Sequence, residues 1–189
     1  MKKLDVRYSV TLSLLVAIAL ILSYVESLLP PFIAIPGVKI GLANSVTVFA
    51  MYLLDLRGAA IISALRVSLA ALLFGSPLTL VYSMVGAVLS IVVMALLKRI
   101  DFFSAIGVSA LGGVAHNLGQ VLVAALIMEN AGILYYFSLL IVAGVIAGAA
   151  IGVVSAVLVS KLEPIMKKMN IITKEAPIAA NKESENGEK

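Results

Sequence analysis

The chain has 189 residues, of which 62% are hydrophobic and 13% charged, with a mean hydropathy of +1.14 and a formal charge of +4. A soluble domain averages about half apolar and about a quarter charged residues, so this composition excludes an ordinary soluble domain and indicates a membrane protein. The absence of cysteine excludes disulfides and thiolate metal sites, and a single histidine excludes the two-histidine zinc motifs. We expect no metal, no cofactor and no nucleic-acid partner.

Long apolar runs dominate the chain from near its N-terminus to about residue 162. Several approach the roughly 20 residues with which an α-helix crosses about 30 Å of hydrocarbon. They are solid blocks of Leu, Val, Ile and Ala, without the alternation typical of a membrane β-barrel. The predicted fold is an all-α integral membrane protein, a six-transmembrane-helix bundle. The predicted spans are residues 9–29, 40–54, 58–74, 77–97, 104–128 and 135–161.

The first predicted span is preceded by Lys2 and Lys3, as in a signal peptide, but it ends in "PP" without a small-x-small cleavage site. We therefore expect it to be retained. The stretch "PPFIAIPGVK" leads to the second span, and its three prolines and one glycine predict a loop near the outer membrane surface. The remaining connections are short, which predicts antiparallel neighbours.

Basic residues predict the orientation of the bundle. In a six-span arrangement, 12 of the 14 basic residues lie on one side, and only Lys39 and Arg66 do not. The positive-inside rule makes that side the cytoplasm, so both termini are expected there. Residues 164–189 are polar, mixed in charge and predicted to form a disordered cytoplasmic tail. The twelve are Lys2, Lys3, Arg7, Arg57, Lys98, Arg99, Lys161, Lys167, Lys168, Lys174, Lys182 and Lys189.

Arg66 is the charge that most needs an explanation. It lies about nine residues from each end of its span, or roughly 13 Å from either interface at about 1.5 Å per residue. An arginine at that depth costs on the order of 3 kcal/mol. We expect no acidic residue at the same depth, so carbonyls and waters, or an anionic ligand, must satisfy it. Asp5, Asp55 and Asp101 fall in cytoplasmic segments, and Glu26 and Glu129 fall at outer helix ends.

The fifth span carries His116, Asn117 and Gln120 on one helical stripe, beside small residues, while its opposite side is apolar. Lipid offers such groups no partner, so the stripe faces another helix or a cavity. His116 alone fits a structural role. Together with Arg66, the stripe predicts a polar cavity that is either open to water or filled by a ligand.

Further residues are predicted at the outer mouth of this cavity. Asn44 lies just inside the second span, Lys39 lies about one turn before it, and Tyr82 lies in the outer half of the fourth span. Lys39 would attract an anion there, or serve only as an interfacial charge. Tyr24, Tyr135 and Tyr136 fall near the outer interface, where tyrosine commonly anchors helices.

Small residues predict close helix packing. Gly144, Gly148 and Gly152 recur every four residues in the sixth span, which lets another helix approach closely. Packing within the bundle is the expected outcome, and contact with a separate membrane subunit is the alternative.

Two motifs carry a resemblance to a known family: "PGVKIGLAN" at 36–44 and "HNLGQ" at 116–120. A six-span chain with these motifs resembles the Gx transporter family, also described as heptaprenyl diphosphate synthase component I. That family is similar to the S components of energy-coupling factor (ECF) transporters, and the resemblance covers about residues 8–162.

The resemblance implies a multi-pass subunit of a prokaryotic cytoplasmic membrane that binds a vitamin-like or lipid-precursor molecule from outside. Its partners would be membrane lipids, a coupling transmembrane subunit and two ATPases. S components typically dock through an Ala-x-x-x-Ala strip on the first helix. Here Ser13 with Ala17, or Ala19 with Ser23, offers a pair of that size.

Two functions remain open from the sequence. The first is a substrate-binding transporter subunit for an amphipathic, anionic molecule; it has no G-x-x-x-x-G-K-[ST] loop, so ATP would be hydrolysed by other subunits. The second is a non-catalytic membrane subunit that assists the handling of prenyl diphosphates or quinone precursors. Catalysis on a diphosphate needs clustered aspartates for magnesium, and the three aspartates here are isolated, so the chain is not expected to be an enzyme.

Overall fold

The computed structural model describes residues 6–28, 41–100, 102–169 and 171, and these residues form helices and short connections without strands. The predicted all-α membrane bundle is confirmed. Five of its helices are long and apolar enough to cross a membrane. The elements are α1 (Val6–Leu28), α2 (Leu42–Leu53), α3 (Leu56–Phe74), α4 (Pro77–Leu97), α5 (Ala105–Ile127), a 3-10 helix (Ala131–Tyr136) and α6 (Phe137–Lys168).

Helix α2 differs from the predicted second span. It has 12 residues, which is about 18 Å of helix and well short of the hydrocarbon thickness. Every side chain from Val46 to Leu53 is buried, including the hydroxyl of Thr47. Because α1, α3 and α6 pack around it, α2 is a short core helix that fills one half of the bundle, where the sequence predicted a span of its own.

Side-chain caps explain why the connections before α3, α4 and α5 are so short. Asp55, Ser76 and Ser104 each accept a hydrogen bond from the backbone N–H three residues later. Pro77 occupies the first turn of α4, where its missing N–H removes no helix bond. Asp55 also accepts a 3.0 Å hydrogen bond from the Tyr8 hydroxyl, which joins α1 to α3.

The glycine strip of α6 packs inside the chain. Gly144, Gly148 and Gly152 are all buried. A Cβ added at Gly148 would lie 2.7 Å from the Cα of Ala110, and one at Gly152 would lie 2.7 Å from the Cα of Ile106. Both neighbours are backbone atoms of α5, so the expected packing within the bundle is what the structure shows.

The two small-residue pairs of α1 face different ways. Ala19 and Ser23 are buried in the bundle, so they are not available to a separate subunit. Ser13 and Ala17 are exposed on the outer face of α1. Of the two pairs, only Ser13 and Ala17 could still contact a separate subunit, as predicted.

Helix α6 extends beyond its predicted end. It continues through Pro164 to Lys168, so the first residues of the predicted disordered tail are helical. Glu163 and Met166 are buried on this extension, and Lys167 pairs with Glu163 at 3.1 Å one turn away. Burial of this last face against the bundle outweighs the cost of the proline.

Lys98 closes the far end of α2. Its Nζ donates to the Met51 carbonyl, in the last turn of α2, and lies 4.7 Å from the centre of the Tyr52 ring. Burial lowers the pKa of Lys98, and the charge of Asp55 partly opposes this shift. One ammonium thus satisfies a helix C-terminus in an otherwise apolar core.

Candidate functional site

A cavity of about 690 Å³ occupies the half of the bundle that α2 does not fill. Its walls are the C-terminal parts of α1, α3 and α5 and the N-terminal parts of α4 and α6, and its floor includes Gly41 and Asn44 at the start of α2. The cavity therefore follows directly from the shortness of α2. Its main polar residues are Glu26, Asn44, Arg66, Tyr82, His116, Asn117 and Gln120.

Six of the seven predicted ligand-binding residues line this one cavity; Lys39 lies outside the described residues. They come from four helices, so the sequence could place each along its helix but could not show that the stripes converge. Their convergence is a finding of the tertiary structure. Ligand binding by them stays a prediction.

Arg66 turns into the cavity. Its Nη2 donates a 2.9 Å hydrogen bond to Oδ1 of Asn44 on α2. Its Nε is buried and has no hydrogen-bond partner within residues 6–28, 41–100, 102–169 and 171. Asn44 therefore meets only part of the guanidinium's hydrogen-bonding capacity.

Glu26 is the residue that sequence reasoning missed. It is only 8% exposed, lines the same cavity as Arg66 and interacts with it electrostatically. The expectation that no carboxylate counters Arg66 is therefore wrong. The expectation failed because it compared the positions of Glu26 and Arg66 along their helices, whereas their side chains extend into the same cavity. A usable signal was present, since Ala19, Ser23 and Glu26 share one stripe of α1 and all three are buried.

The carboxylate of Glu26 also accepts a hydrogen bond from the Gly41 N–H. Gly41 has a φ of 81°, a backbone conformation that favours glycine, and it precedes the first turn of α2. A negative group at a helix N-terminus is favourable, because the helix dipole is positive there. Glu26 therefore holds the start of α2 beside the cavity.

The polar stripe of α5 divides between packing and the cavity. The Asn117 amide donates a 2.8 Å hydrogen bond to the Leu140 carbonyl and so joins α5 to α6. The amide of Gln120 makes no hydrogen bond to any described residue of the chain. Gly86 of α4 provides the close approach on the other side, because a Cβ there would lie 2.8 Å from the His116 carbonyl oxygen.

The tyrosines fall into two groups. Tyr82 lines the cavity from α4. Tyr24 packs edge-on against Phe74 at 5.7 Å, and Tyr135 is exposed, so both lie outside the polar cluster. The side chain of Tyr136 is not among those described.

Charge is distributed unevenly along the bundle. The cavity lies near one end of the helices, and the basic residues Arg7, Arg57, Lys98, Arg99 and Lys161 lie near the other. The asymmetry is the one from which the positive-inside rule predicts orientation. That rule predicts that the cavity lies in the outer half of the membrane.

The sequence matches a known protein family. A family model described as heptaprenyl diphosphate synthase component I matches residues 15–158, which include every described residue that lines the cavity. The chain belongs to this family. The resemblance predicted from the two motifs is thereby confirmed for this family. No curated protein and no solved structure matches the chain.

The family description names one component of a synthase, and this component I chain is not itself an enzyme. Within its described residues, no group of three His, Asp or Glu side chains could hold a metal ion. Its large cavity is lined by one arginine and one glutamate among these residues.

Proposed function

We propose that this chain is a non-catalytic membrane subunit that binds a small amphipathic molecule through an anionic group at Arg66. The observation that carries the proposal is the buried Nε of Arg66, which lacks a partner in the described chain and borders a cavity of about 690 Å³. A charged group left partly unpaired in a membrane interior is costly. A carboxylate or phosphate oxygen in the cavity would complete its hydrogen bonds.

The rest of the cavity suits an apolar body. Its lining includes the apolar residues Val67, Phe74, Leu78, Val121 and Leu140. Ligand pockets in proteins typically measure about 300–1,000 Å³ and combine apolar walls with a few polar groups that fix orientation. The ligand class is therefore a small molecule with a polar head and an apolar remainder.

Glu26 narrows this class. The formal charges of Glu26 and Arg66, the two charged residues among the described lining, sum to zero. A head group with several negative charges would meet repulsion from Glu26 as well as attraction from Arg66. The pair favours a head of low net charge that carries a hydrogen-bond donor beside its anionic group.

The family relationship supports one biological setting most directly. Component I of a heptaprenyl diphosphate synthase implies a second component, so this chain would assist a separate synthase. The charge balance of the cavity favours a quinone precursor of low net charge over a prenyl diphosphate. The membrane cavity would hold the apolar part of such a precursor out of water. We propose this setting first.

The position of the cavity supports a second setting, which is uptake. A cavity in the outer half of the membrane would capture its ligand from outside, as expected of a substrate-binding subunit of an ECF-type transporter. A coupling transmembrane subunit and two ATPases would then be its partners. The exposed pair Ser13 and Ala17 on α1 offers a smooth surface for such a subunit.

Native mass spectrometry of the detergent-purified protein tests ligand binding. The wild type is expected to retain a small molecule that Arg66→Gln loses, while Arg57→Gln, at an exposed position of the opposite end, keeps it. Circular dichroism and size-exclusion chromatography show whether each variant is folded. An empty wild-type protein, or equal retention by Arg66→Gln, would contradict the proposal.

Co-purification separates the two settings. A soluble prenyl synthase captured with the tagged chain would support the first, and a coupling protein with two ATPases would support the second. Ala17→Leu adds bulk on the exposed face of α1, so it should reduce capture of a coupling subunit in the second case. Unchanged capture would exclude that face as the contact.

A further inference from the structure

A second, much smaller cavity lies beside the large one, deeper among α2, α3, α4 and α5. Its volume is about 30 Å³, and Asn44 and His116 border both cavities. Each of the four helices contributes one hydroxyl side chain to its lining: Thr47, Ser63, Ser90 and Ser109. Four hydroxyls from four helices therefore converge in the core.

These hydroxyls are buried and poorly satisfied. Thr47 and Ser109 are each 3% exposed, and neither hydroxyl has a hydrogen-bond partner within the part of the chain that the structure describes. Elsewhere in this protein, Thr11 and Ser160 donate to a carbonyl of their own helix. An unpaired buried hydroxyl costs about 1–3 kcal/mol, so two at one site indicate a partner from outside the chain.

The chemistry of the lining selects that partner. A water molecule needs about 10–15 Å³ of such volume and makes about three hydrogen bonds, which this cavity can supply. A metal cation is disfavoured, because no carboxylate lines the cavity and Arg66 donates to the bordering Asn44. An apolar occupant would leave both hydroxyls unpaired.

We propose that this cavity is an internal hydration site, in which water bridges Thr47 on α2 and Ser109 on α5 beneath the ligand cavity. The water joins α2 to α5 through side chains that have no hydrogen-bond partner among the described residues. Because Asn44 and His116 border both cavities, the site also forms the polar floor beneath the residues predicted to bind the ligand. It does not depend on a ligand being bound.

Removal of a single hydroxyl tests the site, because the unfolding midpoint should fall if water is bound there and should not fall if the cavity is dry. In thermal unfolding in one detergent, Thr47→Val and Ser109→Ala should each lower the midpoint by about 2–6 °C. The double variant should lose less than the sum, because both variants release the same water. If the hydroxyls are dry, their removal relieves an unpaired polar group, and a raised or unchanged midpoint would overturn the proposal.

Ser160→Ala is the matched control, since Ser160 is exposed and bonds within its own helix. It should leave the midpoint within about 1 °C. A second measurement covers variants that fail to fold: high-resolution diffraction of the wild type should show density within hydrogen-bonding distance of both hydroxyls. A dry cavity in that map would also overturn the proposal, whether or not a ligand occupies the larger cavity.

Discussion

At the scale of single residues, Arg66 accounts for most of the polar architecture of the cavity. A lone arginine at mid-membrane depth costs about 2.5–3.5 kcal/mol on insertion scales. Here Asn44 accepts one hydrogen bond from it, and Glu26 supplies an opposite charge across the cavity. This hydrogen bond and the opposite charge of Glu26 let the chain keep a cation where the surrounding helices are apolar.

Loss of the Asn44 side chain should destabilise the protein. Asn44→Ala removes the acceptor of a charge-assisted hydrogen bond, so the free energy of unfolding should fall by about 1.5–3 kcal/mol. Denaturant unfolding in detergent micelles measures the change. Gln120→Ala is the control, because Gln120 lines the same cavity without a hydrogen bond to the described chain; an equal loss in both variants would argue against the Asn44 contact.

Removal of the Glu26 charge should strengthen the binding of anions in the cavity. Glu26→Gln keeps an oxygen that can accept from the Gly41 N–H but leaves Arg66 as the one formal charge among the described lining residues. A simple anion without a hydrogen-bond donor should bind several-fold more tightly to this variant, as titration by native mass spectrometry would show. Unchanged or weaker binding of that anion would contradict the charge balance assigned to Glu26 and Arg66.

At the scale of helices, two features create the cavity and its walls. The shortness of α2 leaves half of the bundle interior open. The glycines of α6 bring that helix into close backbone contact with α5, and both helices line the cavity. The short length of α2 therefore creates the cavity, and the small glycines of α6 allow α5 and α6 to pack closely beside it.

The α5–α6 contact should be sensitive to one methyl group. In Gly148→Ala the added Cβ would lie 2.7 Å from the Cα of Ala110, and such overpacking costs about 1–3 kcal/mol of unfolding free energy. In Gly107→Ala the nearest atoms are side-chain atoms at 3.7 Å. This control should be neutral or stabilising by up to about 1 kcal/mol, and a stable Gly148→Ala variant would show that the two helices can separate.

Lys98, which caps the C-terminal end of α2, should also stabilise the folded protein. Lys98→Met removes the hydrogen bond to the Met51 carbonyl and the contact with the Tyr52 ring. We expect a loss of about 1–3 kcal/mol in the free energy of unfolding. Lys161→Met, at an exposed position of α6, should change it by less than about 0.5 kcal/mol; a neutral Lys98→Met variant would contradict the capping role.

At the scale of the whole molecule, the bundle is polar at its two ends in different ways. One end carries the basic residues of the described helices other than Arg66, and the other contains the cavity in which Glu26 balances the charge of Arg66. The positive-inside rule predicts that the first end faces the cytoplasm. A ligand would then enter the cavity from outside the cell.

The absence of cysteine from the sequence makes the orientation directly testable. Ala131→Cys, near the cavity end, should react with a membrane-impermeant maleimide in intact cells. Arg99→Cys, at the basic end, should react only after permeabilisation. Both positions are exposed, and the reverse pattern would place the cavity on the cytoplasmic side, which would favour the synthase setting over uptake.

Much of this protein follows from patterns that are local along the chain. Apolar runs predict the helices because crossing hydrocarbon requires about 20 such residues in a row. The depth of Arg66 follows from its distance to the helix ends, and two short motifs identify the family. These properties depend on position along the chain, so no packing information is needed for them.

Other properties were decided only when the helices packed. Helix α2 is short and buried because neighbouring helices surround it. Glu26 and Arg66 line the same cavity because α1 and α3 turn the faces that carry them toward it. Asn117 contacts Leu140 for the same reason. A sequence specifies which residues share a stripe, but the rotation of each helix against its neighbours comes from the burial of all the stripes at once, and that rotation selects which polar groups meet.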